Sequence, residues 1–478
     1  MRSIKTVLRL FSCTALCLSA CTLAPKYTRP AAPVPAQWPE GPAYPQASSV
    51  QAAPSAAELP WQQFFTDENL RKLIEAALAN NRDLRIASLN VELARAMYGI
   101  QRAELYPSVY ATGSGMKQGT SADLAVPGQS RTSEQYSANL GVLAWEIDFF
   151  GRIRSLTERA LEEYFATEQA RRSAQTLLVS AVADAYLALA ADRENLALAE
   201  NTFKAQESTF AMVQRQYLQG VTNELSLRQA QTSVETARRA IAGYMQRVAQ
   251  DQNALTLLLG GAPAPAQFLP ADLGRISPLR EVSSGTPSGV LLRRPDVLQA
   301  EALLRAANAD IGAARAAFFP RISLTTALGT ASEELHGLFD AHSGAWNYAA
   351  QIVMPIFDAR VWSAFSATKV QQEIAVTQYE KAIQTAFREV ADALAVRGTI
   401  DAQLAAQQAL VDALAEVYRL SLNRYENGVD SYLSVLDSQR SLFAAQQILT
   451  DFRLANLASQ VRLYAVLGGG CDPDIING

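Results

Sequence analysis

Residues 152–219 read RIRSLTERALEEYFATEQARRSAQTLLVSAVADAYLALAADRENLALAENTFKAQESTFAMVQRQYLQ, 68 positions with neither glycine nor proline. Ala, Leu, Glu, Gln and Arg dominate the run, and all are strong helix formers. At about 1.5 Å per residue, a helix of this length extends ~100 Å. No ordinary globular domain holds such a rod, so it must run along partner helices, as in a coiled coil or a helical barrel. The run stops at Gln219-Gly220-Val221, where Gly220 suits a helix C-cap and turn, and a second helix is expected to about Leu259.

The same pattern occurs twice. Val182-Ala183-Asp184-Ala185 returns as Val390-Ala391-Asp392-Ala393, and Tyr217-Leu218-Gln219-Gly220-Val221 returns as Tyr425-Glu426-Asn427-Gly428-Val429. Leu255–Gly260 likewise matches Leu463–Gly468, so all three pairs are displaced by 208 residues. Nearer the start of each half the displacement is 213, with Asp83 matching Asp296, Arg102 matching Arg315 and Pro107 matching Pro320. A five-residue insertion in the first half accounts for the difference, and the chain is an internal duplication joined at Gly261–Gly289.

Proline marks the boundaries. Nine of the 20 prolines lie between Pro25 and Pro60, in an Ala/Gln/Ser-rich stretch that reads as extended chain, and six lie between Pro263 and Pro295. Residues 128–262 and 356–472 contain none. Each half then has the same plan: a helix (about 82–105 and 296–318), two strands, the very long helix, a glycine turn and a medium helix. The two shorter helices of a half, end to end, nearly equal the long one, which suits a coiled-coil wall.

The strands rest on alternation. Ile322, Leu324, Thr326 and Leu328 face one way, and Arg321, Ser323, Thr325 and Ala327 the other. Tyr136, Ala138, Leu140, Val142 and Ala144 alternate in the same way, as do Tyr348, Ala350, Ile352 and Met354. Four strands are too few to close a membrane barrel, whose smallest known form has about eight. Either the strands form a barrel shared among subunits, with Tyr110, Tyr136, Trp145, Trp346 and Tyr348 as interfacial aromatics, or they are two hairpins of a soluble domain.

Composition narrows the function. The chain is 49% hydrophobic and 18% charged, enough apolar residue for a large core. A net charge of -4 without a basic run argues against a nucleic-acid binder. Two histidines, His336 and His342, lie six apart in one expected loop, too few for a metal centre or a Ser/His/Asp set. Gly113-Ser114-Gly115 lacks the following helix of a phosphate loop, and Gly468-Gly469-Gly470 reads as a helix cap. No catalytic residue is expected, and no metal or other cofactor.

At the N-terminus, Arg2, Lys5 and Arg9 precede an apolar stretch, Leu10–Ala20, that reads as a secretory signal too short to span a membrane. Leu18-Ser19-Ala20-Cys21 resembles a bacterial lipobox, which makes Cys21 the lipidated first residue of the mature chain. Thr22 stands where Gram-negative lipoproteins retained in the inner membrane have Asp, which implies sorting to the outer membrane. Cleavage leaves only Cys21 and Cys471, so a lipidated Cys21 leaves no internal disulfide, and no role is assigned to Cys471.

These features come together in a resemblance. Leu18–Cys21, the stretch Ala144–Arg152 (AWEIDFFGR), Arg293–Asp296 (RRPD), Gly312–Pro320 (GAARAAFFP) and Leu467–Gly470 (LGGG) look like those of lipid-anchored outer-membrane factors. These are the TolC-like exit ducts of tripartite efflux pumps, in particular those serving resistance-nodulation-division multidrug transporters. The resemblance implies a mainly α fold with transmembrane β: a homotrimer with a 12-stranded β-barrel continued by a long periplasmic α-helical barrel. It also implies a periplasmic adaptor and an inner-membrane, proton-driven transporter as partners, and no chemistry performed by the chain itself. The divisions are then 1–20 signal; 21–65 anchor and Pro-rich equatorial segment; 66–261 first repeat; 262–292 equatorial joint; 293–468 second repeat; 469–478 tail. Within the repeats the hairpins fall at about 108–147 and 321–356, the long helices at about 152–219 and 359–427, and the medium helices at 221–259 and 429–467.

Both glycine turns, Gly220-Val221 and Gly428-Val429, are expected at the periplasmic tip, where the adaptor docks. Leu433 and Asp437 are i and i+4 and share a helix face. From the residues alone they read as a coiled-coil core position and a solvated charge. The resemblance instead places a gate there, an apolar ring and an acidic ring around a threefold axis, with Tyr425 and Arg424 holding the aperture closed. Leu225 and Gln229 stand at the equivalent places of the first repeat, so the acid belongs to one repeat only. Two other functions stay open: an exit duct for type I protein secretion, and a helical scaffold lipoprotein that conducts nothing.

Overall fold

A computed structural model describes residues 22–44, 56–124, 128, 130–277, 279–283 and 287–470. The signal segment, Cys21, Cys471 and the C-terminal tail beyond Gly470 lie outside the described residues. The main elements are α1 (Glu68–Asn80), α2 (Arg82–Ala103), β1 (Val109–Gly119), β2 (Thr132–Glu146), α3 (Arg152–Leu218) and α4 (Glu224–Leu258), then α5 (Pro295–Ala316), β3 (Arg321–Ser332), β4 (Gly344–Val353), α6 (Ala359–Glu426) and α7 (Tyr432–Val466). The chain is mostly helical. It divides into two compact units, one of residues up to 31, 90–168 and 299–379, the other of 32–89, 169–298 and 380 onward.

The first unit contains the sheet, four antiparallel strands in the order β1-β2-β3-β4. Ala111, Leu140, Leu328 and Trp346 form one cross-strand row, and Val109, Val142, Thr326 and Tyr348 another on the same face. Gly141 and Gly329 lie on the opposite face, where a Cβ would come within 2.1 Å of the neighbouring strand's carbonyl oxygen, Thr326 for Gly141 and Ala138 for Gly329. Alternation expected to run on through Ala144 stops at Val142. A bulge follows before Trp145, with Ala144 at φ 52° and its N–H donating to Thr325 Oγ1 at 3.1 Å.

The strand-to-helix junction explains the Ala144–Arg152 stretch. Arg152 grips Glu146 with two hydrogen bonds of 2.8 Å, and Asp148 accepts from the Arg154 backbone N–H at 2.8 Å, capping the first turn of α3. Gly151 takes the left-handed φ of 76° that the corner needs. The segment from Thr22 to Ala31 is tied to α5: Arg315 donates to the Leu23 carbonyl and Asn308 to that of Pro25, at 3.1 and 2.8 Å. Gly312 lets the segment approach, since a Cβ there would lie 2.8 Å from Ala24. Arg29 pairs with the buried Glu301 at 2.7 Å, and Arg305 joins it at 2.9 Å. Burial opposes ionisation of Glu301, but the two guanidinium bonds prevail and hold its carboxyl below the usual range.

The second unit is built on long helices. Part of α3 is apolar enough to cross a membrane, yet 61% of that window is buried in the protein, as in a core helix. Phe64 stacks on Tyr464 at 3.9 Å, and the Tyr464 hydroxyl donates to Leu59 O at 2.6 Å while accepting from Gly470 N–H at 2.8 Å. Gly469 lies against that ring, where a Cβ would come within 2.3 Å. The glycine triplet therefore does more than cap α7. Buried Arg294 donates to Asp296 and Glu389 at 2.7 and 2.8 Å and to the Val466 carbonyl at 2.8 Å, linking the start of α5, the middle of α6 and the end of α7. On α6, Gly398 interrupts nothing. It leaves room for the Pro-rich segment, with Ala43 O 2.3 Å from where a Cβ would be, and Trp38 stacks on Phe387 nearby.

Candidate functional site

The turns α3–α4 and α6–α7 have the same backbone design. Gly220 and Gly428 have φ of 74° and 73°, which an L side chain resists. Gly220 N–H bonds to Tyr217 O and Val221 N–H to Gln216 O; Gly428 N–H bonds to Tyr425 O and Val429 N–H to Arg424 O, all at 2.9–3.0 Å. These paired bonds occupy carbonyls left free at the helix ends. The helices that follow start differently. Asn223 caps α4 through its side chain, accepting from Ser226 N–H at 2.9 Å, whereas Ser431 makes no side-chain cap on α7.

The turns also differ in what their side chains do. Arg424 forms a two-point ion pair with Asp430, Nε–Oδ2 2.5 Å and Nη2–Oδ1 3.1 Å. This contact holds the Asp430 carboxyl below its usual range. Tyr425 donates to Gln216 Oε1 at 2.8 Å, tying the end of α6 to the end of α3. Its ring lies 5.3 Å from that of Tyr432. Tyr432 is buried with Val213, Ala230, Val435 and Leu436, and its hydroxyl has no hydrogen-bond partner among the described residues. Burial pushes that hydroxyl's pKa well up.

Leu433 and Asp437 are exposed, on the side of α7 away from Tyr432 and Leu436. Leu225 of the first repeat is exposed as well, and Gln229 is half-buried. The sequence-derived set thus falls into two groups. Arg424 and Tyr425 belong to a bonded network in the turn, while Leu433 and Asp437 stand free of it on one helix face. Val221 and Val429 are both exposed at the turns.

Asp430, Gln216 and Tyr432 were not expected from the sequence. The duplication carries a signal for two of them: at the 208-residue displacement, Gln216 and Thr222 stand where Arg424 and Asp430 do, so the ion pair exists in one turn only. His336 pairs with Glu334 at 3.1 Å, both exposed, and no group of three His, Cys, Asp or Glu side chains suited to a metal occurs among the described residues.

Comparison with known proteins places this architecture. The model of the family described as outer membrane efflux protein matches residues 73–261 and 286–469. The chain is 50% identical over 463 residues to the antibiotic efflux pump outer membrane protein ArpC of Pseudomonas putida, covering 96% of this chain and 94% of that protein. A membrane protein from Pseudomonas aeruginosa, solved by crystallography, is 41% identical with a TM-score of 0.87, covering 94% of this chain and 98% of the other. The open state of the MtrE outer membrane channel of Neisseria gonorrhoeae is 36% identical with a TM-score of 0.83, covering 94% and 98%.

Proposed function

The chain belongs to the outer membrane efflux protein family, and on that premise we propose that three copies assemble into one continuous duct for small molecules. It is an outer-membrane channel of a tripartite efflux pump, the passive exit from periplasm to exterior, and it works with an adaptor and a transporter. It performs no chemistry on what passes. The cargo class is drugs and other small molecules, on its likeness to an antibiotic efflux protein, and the transporter is of the resistance-nodulation-division type. Cys21 carries the lipid anchor.

The open sheet carries this reading. Among the described residues, β1 and β4 each pair on one side only, and the row Ala111, Leu140, Leu328, Trp346 lies exposed. Unpaired strand edges are not tolerated in lipid, so β1 of one copy must pair with β4 of the next. Three four-stranded sheets then close a 12-stranded barrel with its apolar face outward, and the long helices continue as a periplasmic barrel. A soluble hairpin domain would cover one face of the sheet with its own core. Leu433 and Asp437 form the gate rings, three side chains of each around the axis. Arg424 and Tyr425 brace that gate through their turn contacts. Gly220-Val221 and Gly428-Val429 present apolar tips to the adaptor.

The test is dye accumulation in a host lacking its other exit ducts, with and without this gene and its pump partners. Lower accumulation with the gene, weakened by Cys21→Ser, supports the reading. Unchanged accumulation despite heat-stable trimers in the outer membrane would overturn it as a small-molecule duct.

A further inference from the structure

Two aromatic side chains of the first unit stand uncovered at the ends of the edge strands. Phe357, just past β4, is 90% exposed beside an equally bare Ile356, and Tyr106, just before β1, is 62% exposed. Neither ring meets another aromatic ring among the described residues, although Phe318, Trp362 and Phe365 nearby in sequence cluster with one another. Large apolar side chains this bare mark a contact surface.

The middle of the sheet holds the pattern for what covers them. Where β2 pairs with β3, the ladder runs to Glu146 and Ser323, and Ile147 N–H extends it to Ile322 O at 2.8 Å. Phe150, four residues past the end of β2, then stacks on Phe319 of the Phe319-Pro320 step that leads into β3, with ring centroids 4.8 Å apart and planes at 22°. The duplication makes β4 the counterpart of β2 and β1 that of β3. Phe357 lies four residues past the end of β4, and Tyr106-Pro107 stands 213 positions before Phe319-Pro320. Within one copy these two cannot meet, because β1 and β4 are opposite edges of the sheet, three strand spacings or about 14 Å apart.

We propose that Phe357 of each copy stacks on Tyr106 of the next, an aromatic clamp between subunits that reproduces the Phe150–Phe319 contact inside each chain. The clamp rests on the three-copy barrel and names side chains that fasten its seams. When β4 pairs antiparallel with β1 of the next copy, the end of β4 comes beside the start of β1, as the end of β2 does beside the start of β3. The occupant of each bare ring is therefore a second copy of this chain. Stacking removes both rings from water and adds the preference of aromatic pairs for offset packing.

The experiment joins Tyr106→Cys to Phe357→Cys in the full-length protein carrying Cys471→Ser, and treats outer membranes with a short bismaleimide. Boiled samples on a denaturing gel are expected to show covalent dimers and trimers, with none from either single variant. Phe150→Cys with Phe319→Cys calibrates the reagent, linking within one chain by peptide mass spectrometry. Heat-stable trimers that link only within single chains, or not at all while the internal pair does, would overturn the clamp and leave the barrel standing; a wild type without trimers would overturn both. Should the double cysteine variant not assemble, alanine variants read the same contact. Phe357→Ala and Tyr106→Ala should each lower the temperature of trimer dissociation by several degrees, and together by no more than the larger single effect. Tyr106→Phe keeps the ring and should leave that temperature unchanged. Additive losses, as from two rings that face lipid independently, would overturn the clamp.

Discussion

Arg424 and Asp430 close a two-point ion pair across the α6–α7 turn, at 2.5 and 3.1 Å, whereas the matching positions of the α3–α4 turn hold Gln216 and Thr222. Arg424 is exposed and Asp430 half-buried at the tip of the turn, so salt screens the pair and its worth to global stability is small. Its effect is local, fixing the turn beside the proposed gate. Arg424→Ala and Asp430→Ala should each leave the melting temperature nearly unchanged and raise single-channel conductance in planar bilayers. The gain should shrink as salt rises. Equal conductance for wild type and both variants would show that the pair does not brace the aperture.

Asp437→Ala should raise conductance or lower cation preference, because it removes an exposed acid from each copy at the proposed constriction. Asp437→Asn separates the two effects: it keeps the side chain's size and removes only the charge, so selectivity should fall more than conductance rises. Reversal-potential measurements under a salt gradient check this. Unaltered selectivity in both variants counts against an acidic ring there.

Arg294→Met should destabilise strongly. It leaves Glu389, Asp296 and the Val466 carbonyl without their shared donor, and losing one partner of a buried ion pair costs about 3–5 kcal/mol. Arg294→Lys should recover only part of this, since one ammonium cannot reproduce the fork that reaches three groups. Denaturation of the purified protein gives the order wild type, Lys, Met. A Met variant as stable as wild type would exclude the linking role.

Tyr464→Phe keeps the stack on Phe64 but loses both hydroxyl bonds, to Leu59 O and from Gly470 N–H, at a cost of about 1–3 kcal/mol. Gly469→Ala is harsher, because its Cβ would come within 2.3 Å of the Tyr464 ring. It should sharply reduce the heat-stable protein recovered from outer membranes, and Tyr464→Ala in the same chain should restore part of it by vacating the ring's place. Normal recovery of Gly469→Ala alone would show that the packing yields.

The long helices were legible because their signal is local: 68 residues without a glycine or proline leave few alternatives to helix. The strands were legible through alternation up to Val142, and the bulge before Trp145 was not, since one inserted residue leaves no periodic trace. Gly398 is the converse case. Its type suggests a break in α6, but the helix passes through it, and its reason is the Ala43 carbonyl lying against it from a segment far away in sequence.

The duplication, the helix and strand types, the glycine turns and, through the motifs, the family resemblance are all legible along the chain. Each of these depends on spacing along the chain or on one residue's own backbone freedom. Three-dimensional packing alone brings Arg424 to Asp430, Tyr425 to Gln216 and Arg294 to the three groups it links. Most of these join residues 95 to 209 positions apart, and the Arg424–Asp430 pair depends on how a turn folds. A charge or hydroxyl finds its partner by the three-dimensional packing of helices, which composition and periodicity do not encode.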